Sequence, residues 1–136
     1  MQADQNSKLK TLNSALLIMV HGSPRPESNR DMFAVVESLR CGEKAEHEYS
    51  IIEVGFMECN EPSIPEAIDL CIDQGAQKVV AVPYFLHTGN HVADDLPTAL
   101  EEAQQKYPHV KFLMGDYLGH DGAVANVLRD RVLAAE

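Results

Sequence analysis

The sequence predicts an α/β fold: a mainly parallel, four-stranded sheet with helices on both faces. Three observations predict it. Four short apolar runs alternate with four segments of helical periodicity, the order expected of strands joined by right-handed crossovers. The first run, residues 15–20, is apolar without a break, as a strand covered on both faces is. Residues 78–83 are the most β-branched stretch and read as the third strand.

Residues 1–13 are polar and unpatterned and read as a frayed tail, which leaves residues 14–136 as a single domain. The run 15–20 stops at His21-Gly22-Ser23. Asn29 then reads as an N-cap, because Met32, Phe33, Val36 and Leu39 recur at helical spacing, and Cys41-Gly42 supplies a stop. Residues 49–54 read as the second strand. Ser63 is an N-cap with Pro65 in the first turn, and that helix runs to Gln74 and ends at Gly75. Strand 78–83 precedes a helix over 92–106 with Pro97 near its start, and residues 110–114 give the fourth strand. A last helix over 122–135 carries the apolar stripe Val124, Val127, Leu128 and Val132. No internal repeat or linker interrupts the domain.

Composition narrows the function. A chain of 136 residues is the size of one domain, and such a domain buries roughly two thirds of its unfolded surface. Hydrophobic residues at 45% and charged residues at 24% exclude a disordered or disulfide-scaffold class. A net charge of −10 with no Lys/Arg cluster leaves no source of phosphate neutralisation, so nucleic acid is not an expected partner. The longest apolar run is far below the ~20 residues that cross a bilayer, and no signal-peptide core precedes it, so a cytoplasmic protein without membrane contact is expected. Cys41, Cys59 and Cys71 are odd in number and lack a CxxC, so they read as buried or half-buried thiols rather than as bridges or a metal site.

In an open parallel sheet, ligands bind beyond the carboxyl ends of the strands. There the chain places His21-Gly22-Ser23-Pro24-Arg25, then Gly55-Phe56-Met57-Glu58, then residues 84–91 with His87, Gly89 and His91. One loop histidine is usually just a hydrogen-bonded group, but two histidines and a glutamate at three strand ends form a borderline ligand set for Fe(II), Co(II), Ni(II) or Zn(II) with room for a substrate ligand. Ser23 lacks a G-x-S-x-G setting, and there is no Walker loop or G-x-G-x-x-G, so hydrolase and nucleotide chemistry are unsupported. Gly89 reads as permitting a turn that a bulkier residue would strain, so His87 and His91 are expected to diverge rather than chelate together. His47 and His109 read as surface residues.

The ordered series His21-Gly22-Ser23, Phe56-Met57-Glu58 with Glu61-Pro62-Ser63-Ile64, and Pro83-x-Phe85-Leu86-x-x-Gly89-x-His91-x-x-x-Asp95-x-Pro97 resembles the sirohydrochlorin chelatases of the CbiX and SirB type. Leu118-Gly119-His120 ahead of Val127-Leu128-x-x-Arg131 is similar to that family's closing segment, so the resemblance spans the chain from Ala15 onward. It implies a three-layer, chelatase-like (flavodoxin-like) fold. It also implies a lyase that inserts Co(II) or Fe(II), with Ni(II) admissible, into sirohydrochlorin for cobalamin or siroheme biosynthesis. The ion is then a substrate, and no organic cofactor is implied.

Residue by residue, the family's metal-site histidines fall on His21 and His91 and its glutamate on Glu58, with one histidine also accepting pyrrole protons. Ser23, Arg25, Arg30 and Gly89 are the candidate substrate contacts, the two arginines offsetting repulsion between an acidic protein and a polycarboxylate ring. Because the chain matches one half of the long members, the resemblance implies a homodimer. The departures are the additional His87, Pro24 and Pro26 after His21, and Met57 where leucine is usual. Two rivals remain: a non-catalytic metal or tetrapyrrole carrier on the same fold, and a receiver-type signalling domain. The second is disfavoured because Val82-Pro83-Tyr84-Phe85 holds no phosphoacceptor Asp.

Overall fold

The structure, a computed structural model, describes residues 13–40 and 49–136. Strand β1 (Ser14–Val20) is followed by α1 (Glu27–Arg40), β2 (Ile51–Phe56), α2 (Ile64–Asp73) and β3 (Lys78–Pro83). A π-helical turn (His91–Asp95) then runs straight into α3 (Leu96–Lys106), and β4 (Lys111–Met114) and α4 (Gly122–Ala135) complete the chain. The sheet order is β2-β1-β3-β4 with every pairing parallel. β1 is therefore interior, which is why its run of apolar residues has no polar face.

The two faces of β1 separate cleanly at the two-residue strand period. Ala15, Leu17 and Met19 enter a core with Ile64, Ala67, Ile68 and Cys71 of α2 and Leu96, Leu100 and Ala103 of α3. Ile18 and Val20 face the other way, against Met32 of α1 with Ile52 and Phe56 of β2. The predicted three-layer α/β architecture is the one observed. Burial pushes the Cys71 thiol up to about 12, so it stays a neutral packing group. Cys59 departs from the expectation of buried or half-buried thiols: it is exposed, on a loop residue with φ of 68°.

Several boundaries move for local reasons. α1 begins at Glu27, so Asn29 lies inside the helix and is not its cap. The chain turns earlier than expected, with the Ser28 N–H donating to the Arg25 carbonyl at 3.1 Å just after Pro26 has pre-set φ. β2 starts at Ile51 and extends through Gly55 and Phe56, because its register is set by pairing with β1 from Ala15↔Ile51 to Val20↔Phe56 and not by its own propensity. The Ser63 cap is present as a full capping box with Glu66, and Pro65 sits in the first turn.

The stripe on α4 does not join either core. No residue of α4 is buried, and Val127 and Leu128 remain 48% and 66% exposed. The tail over residues 1–12, the Cys41-Gly42 stop and His47 lie outside the described residues.

Candidate active site

The carboxyl ends of β1, β2 and β3 open on one edge of the sheet, and each delivers one of the anticipated groups. The β1–β2 ladder continues past the strands, with Met57 N–H donating to the Val20 carbonyl at 2.8 Å and Glu58 N–H to the His21 carbonyl at 3.1 Å. His21 and Glu58 are thereby brought side by side through the backbone. His21 Nε2 stands 3.2 Å from Glu58 Oε1, and His21 Nδ1 lies 3.1 Å from the Gly22 carbonyl. His91, the first residue of the π-helical turn, brings its ring to 5.2 Å from that of His21, tilted by 58°. All three side chains are partly open to solvent.

Gly22 holds this junction together. Its φ is +95°, and a Cβ there would lie 1.9 Å from the Glu58 carbonyl oxygen. Only glycine tolerates both that backbone conformation and so close an approach. A second tie is made by Asn60, whose Oδ1 accepts the Ser23 N–H at 2.8 Å while its own N–H donates to the Glu58 carbonyl at 2.8 Å. Neither role was legible in sequence: Ser23 and Asn60 are 37 residues apart.

The spacings suit a shared divalent ion. Two donor atoms bound to one ion at about 2.0–2.2 Å stand roughly 3.0–3.4 Å apart, which matches His21 Nε2 and Glu58 Oε1. Two imidazoles on one ion have ring centres roughly 4.5–5.5 Å apart by the same bond lengths, and the His21–His91 distance falls in that range. His21 is the common member, touching Glu58 on one side and His91 on the other. Among the described residues, no three His, Cys, Asp or Glu side chains are drawn into one closed ligand sphere.

Asp95, quoted in the motif but given no role there, is in contact with this site. Its Oδ2 lies 2.8 Å from His91 Nδ1, an i,i+4 pair within the turn. The remaining sequence candidates are placed as follows. The Ser23 hydroxyl accepts the Arg25 N–H at 3.1 Å and so shapes the β1 loop. Arg25 and Arg30 are exposed and form no ion pair with a described residue. His87 is exposed and makes no hydrogen bond, ion pair or ring contact with the described residues. Gly89 corrects the expectation attached to it: its φ lies outside the left-handed region and a Cβ there would meet no atom within 4 Å. The segment turns without needing glycine, because the Ala93 N–H reaches back to the Gly89 carbonyl and starts the helical turn.

Among the described residues, no helix is long and apolar enough to cross a membrane. The CbiX family model matches residues 15–135. The chain is 35% identical over 117 residues to a chloroplastic sirohydrochlorin ferrochelatase of Arabidopsis thaliana, covering 86% of this chain and 50% of that protein. It is 45% identical over 86 residues to a sirohydrochlorin cobaltochelatase of Methanococcus maripaludis, covering 63% and 57% of the two. The chain thus spans about half the length of these curated relatives. Among solved structures it superimposes with a TM-score of 0.80 and 28% identity on the sirohydrochlorin chelatase SirB of Bacillus subtilis subspecies spizizenii in complex with cobalt, covering 90% of this chain and 51% of that one. With a match that extends through every described strand and helix, this chain belongs to the CbiX family.

Proposed function

We propose that this chain is a sirohydrochlorin chelatase, a lyase that inserts Co(II) or Fe(II) into the macrocycle. The observation that carries the reading is the meeting of His21, Glu58 and His91 at one end of the sheet, in a chain of the CbiX family. In the reaction two pyrrole N–H protons leave, the ion exchanges water for four ring nitrogens, and no electron changes hands. The protein must therefore hold the ion, accept protons and present the ring.

Each need has a residue. With its Nδ1–H donating to the Gly22 carbonyl, His21 carries its lone pair on Nε2, beside Glu58, so the two form a neutral-plus-anionic pair that suits capture of a hydrated cation. His91, with Nδ1 engaged by Asp95, has Nε2 free for the ion or for a pyrrole proton. Ser23, Arg25, Arg30 and Gly89 are read as the ring contacts, and the two guanidiniums, which form no ion pair with a described residue, would answer the carboxylates that a protein of net charge −10 would otherwise repel. The donors suit Ni(II) as well.

Anaerobic assay of sirohydrochlorin with Co(II), Fe(II) and Ni(II), at protein well below ring concentration, tests the reading. Many equivalents metallated per chain are expected with Co(II) or Fe(II). Metallation that stops at one equivalent or fewer would make the protein a carrier instead.

The chain is further read as a homodimer. The chain matches one half of the Arabidopsis and Bacillus proteins and carries an apolar α4 with no buried residue, a face that a second copy would cover. Light scattering at micromolar concentration should return twice the 15.0 kDa chain mass, and Leu128→Asp should return one. A monomeric parent protein with full turnover would overturn the dimer and leave the chelatase reading standing.

A further inference from the structure

The π-helical turn between β3 and α3 does more than connect them. It opens with His91 and closes with Asp95, and the wider turn is sealed by the Leu96 N–H donating to the His91 carbonyl. Such turns are rare and tend to mark functional positions. Here the turn sets Asp95 Oδ2 at 2.8 Å from His91 Nδ1. A carboxylate can only accept, so a neutral His91 making this contact carries its proton on Nδ1 and its lone pair on Nε2. Among the described residues Asp95 pairs with His91, and its side chain caps no helix end.

We propose that Asp95 is a positioning residue: it holds His91 in the Nδ1–H tautomer, so that Nε2 is the nitrogen that meets the incoming ion or the departing pyrrole proton. This inference rests on the reading of His91 as a site residue. The turn and the carboxylate act together. The turn places the acceptor, and the acceptor chooses which nitrogen is free. Without it the neutral imidazole distributes between two tautomers, and the Nε2–H form offers no lone pair at Nε2. Outer-shell partners of this kind typically change metal affinity or activity by 10–100-fold.

The test uses the full chain with 15N-labelled histidine, at a pH where the rings are neutral. Long-range proton–nitrogen spectra read the tautomer of His91, assigned from its loss in His91→Ala. The parent protein should show Nδ1–H. Asp95→Ala should move His91 toward Nε2–H and reduce kcat for chelation by about 10–100-fold. Asp95→Asn, whose amide oxygen still accepts, should keep Nδ1–H and recover most of the rate. An Nε2–H tautomer in the parent protein, or an unchanged Nδ1–H tautomer in Asp95→Ala, would overturn the proposal. So would a tautomer that shifts without loss of turnover while His91→Ala is inactive. Full activity of His91→Ala would instead remove His91 from the chelatase site, and the tautomer spectra would still decide what Asp95 does.

Discussion

The two sides of the site are held by different means. His21 and Glu58 are set by backbone: an extended β1–β2 ladder, a glycine at φ +95° pressed against the Glu58 carbonyl, and the Asn60 tie between loops. His91 is set locally, by a π-helical turn and one carboxylate within it, after a segment 84–89 that is exposed except at Phe85. A geometry fixed by backbone contacts between strands resists small perturbations and fails as a unit. One fixed by a single side chain can be tuned residue by residue. The proposed ion-capturing pair thus stands on the rigid side and the remaining histidine on the adjustable one, a division that suits the proposed reaction, in which an ion must be held and then surrendered.

The largest effect should come from removing the donors on either side. His21→Ala and His91→Ala are each expected to lower chelatase kcat by at least about a hundredfold with the circular dichroism spectrum retained, because exposed rim residues contribute little to the core. Glu58→Ala should lose less. Near-normal turnover in both histidine variants would dissolve the comparison altogether.

Next in size is the junction. Gly22→Ala places a Cβ 1.9 Å from the Glu58 carbonyl oxygen, so the loops must separate. Strain and overpacking there should lower stability by about 2–4 kcal/mol and reduce turnover even in the folded fraction. Gly89→Ala is the matched control, since its Cβ meets open space and should leave stability unchanged within about 0.5 kcal/mol. Urea midpoints for the two variants should differ in that order, and equal losses would show that backbone interlocking is not what holds the rigid side.

A smaller effect is expected on the adjustable side. His87 has no partner among the described residues and precedes the turn, so His87→Ala should retain most chelatase activity where His91→Ala does not. Equal losses in metal-dependent kinetics would bring His87 into the site.

The smallest effect lies away from both sides, where the Tyr107 hydroxyl and Lys106 Nζ at 3.0 Å converge on Asp69 and tie α3 to α2. The hydrogen bond from Tyr107, followed by Lys106, lowers the Asp69 pKa below its ordinary 3.8. A depressed carboxylate contributes stability above its unfolded pKa and loses it as pH falls through the lower folded value. Asp69→Asn should therefore cost less than about 1 kcal/mol at pH 7, the pair being largely solvated, and nothing once the pH is below the folded pKa of Asp69. Denaturant midpoints at acid and neutral pH check this, and chelatase turnover should not change.

Much of the architecture was legible in the chain, because buried strands and amphipathic helices announce themselves through local periodicity. The uninterrupted run of β1, the β-branched β3 and the Ser63 capping box each carry their cause within a few residues. The meeting of His21, Glu58 and His91 was legible for a related reason: a parallel sheet sends every strand's carboxyl end to one edge, so residues that follow three strands converge once the class of fold is known. Pairing between distant segments was not. The register that carries β2 on to Phe56 belongs to β1, the need for glycine at position 22 belongs to the Glu58 carbonyl, and the tie at Asn60 belongs to a loop 37 residues away. The stripe on α4 has the periodicity of a core helix yet buries nothing, since periodicity reports that a face is apolar but not what covers it. The sequence by itself determined which elements form and at which end of the sheet the candidate residues meet, both matters of local pattern. Only the tertiary structure decided which nitrogen meets which oxygen, because that depends on distances between residues that the chain order does not make neighbours.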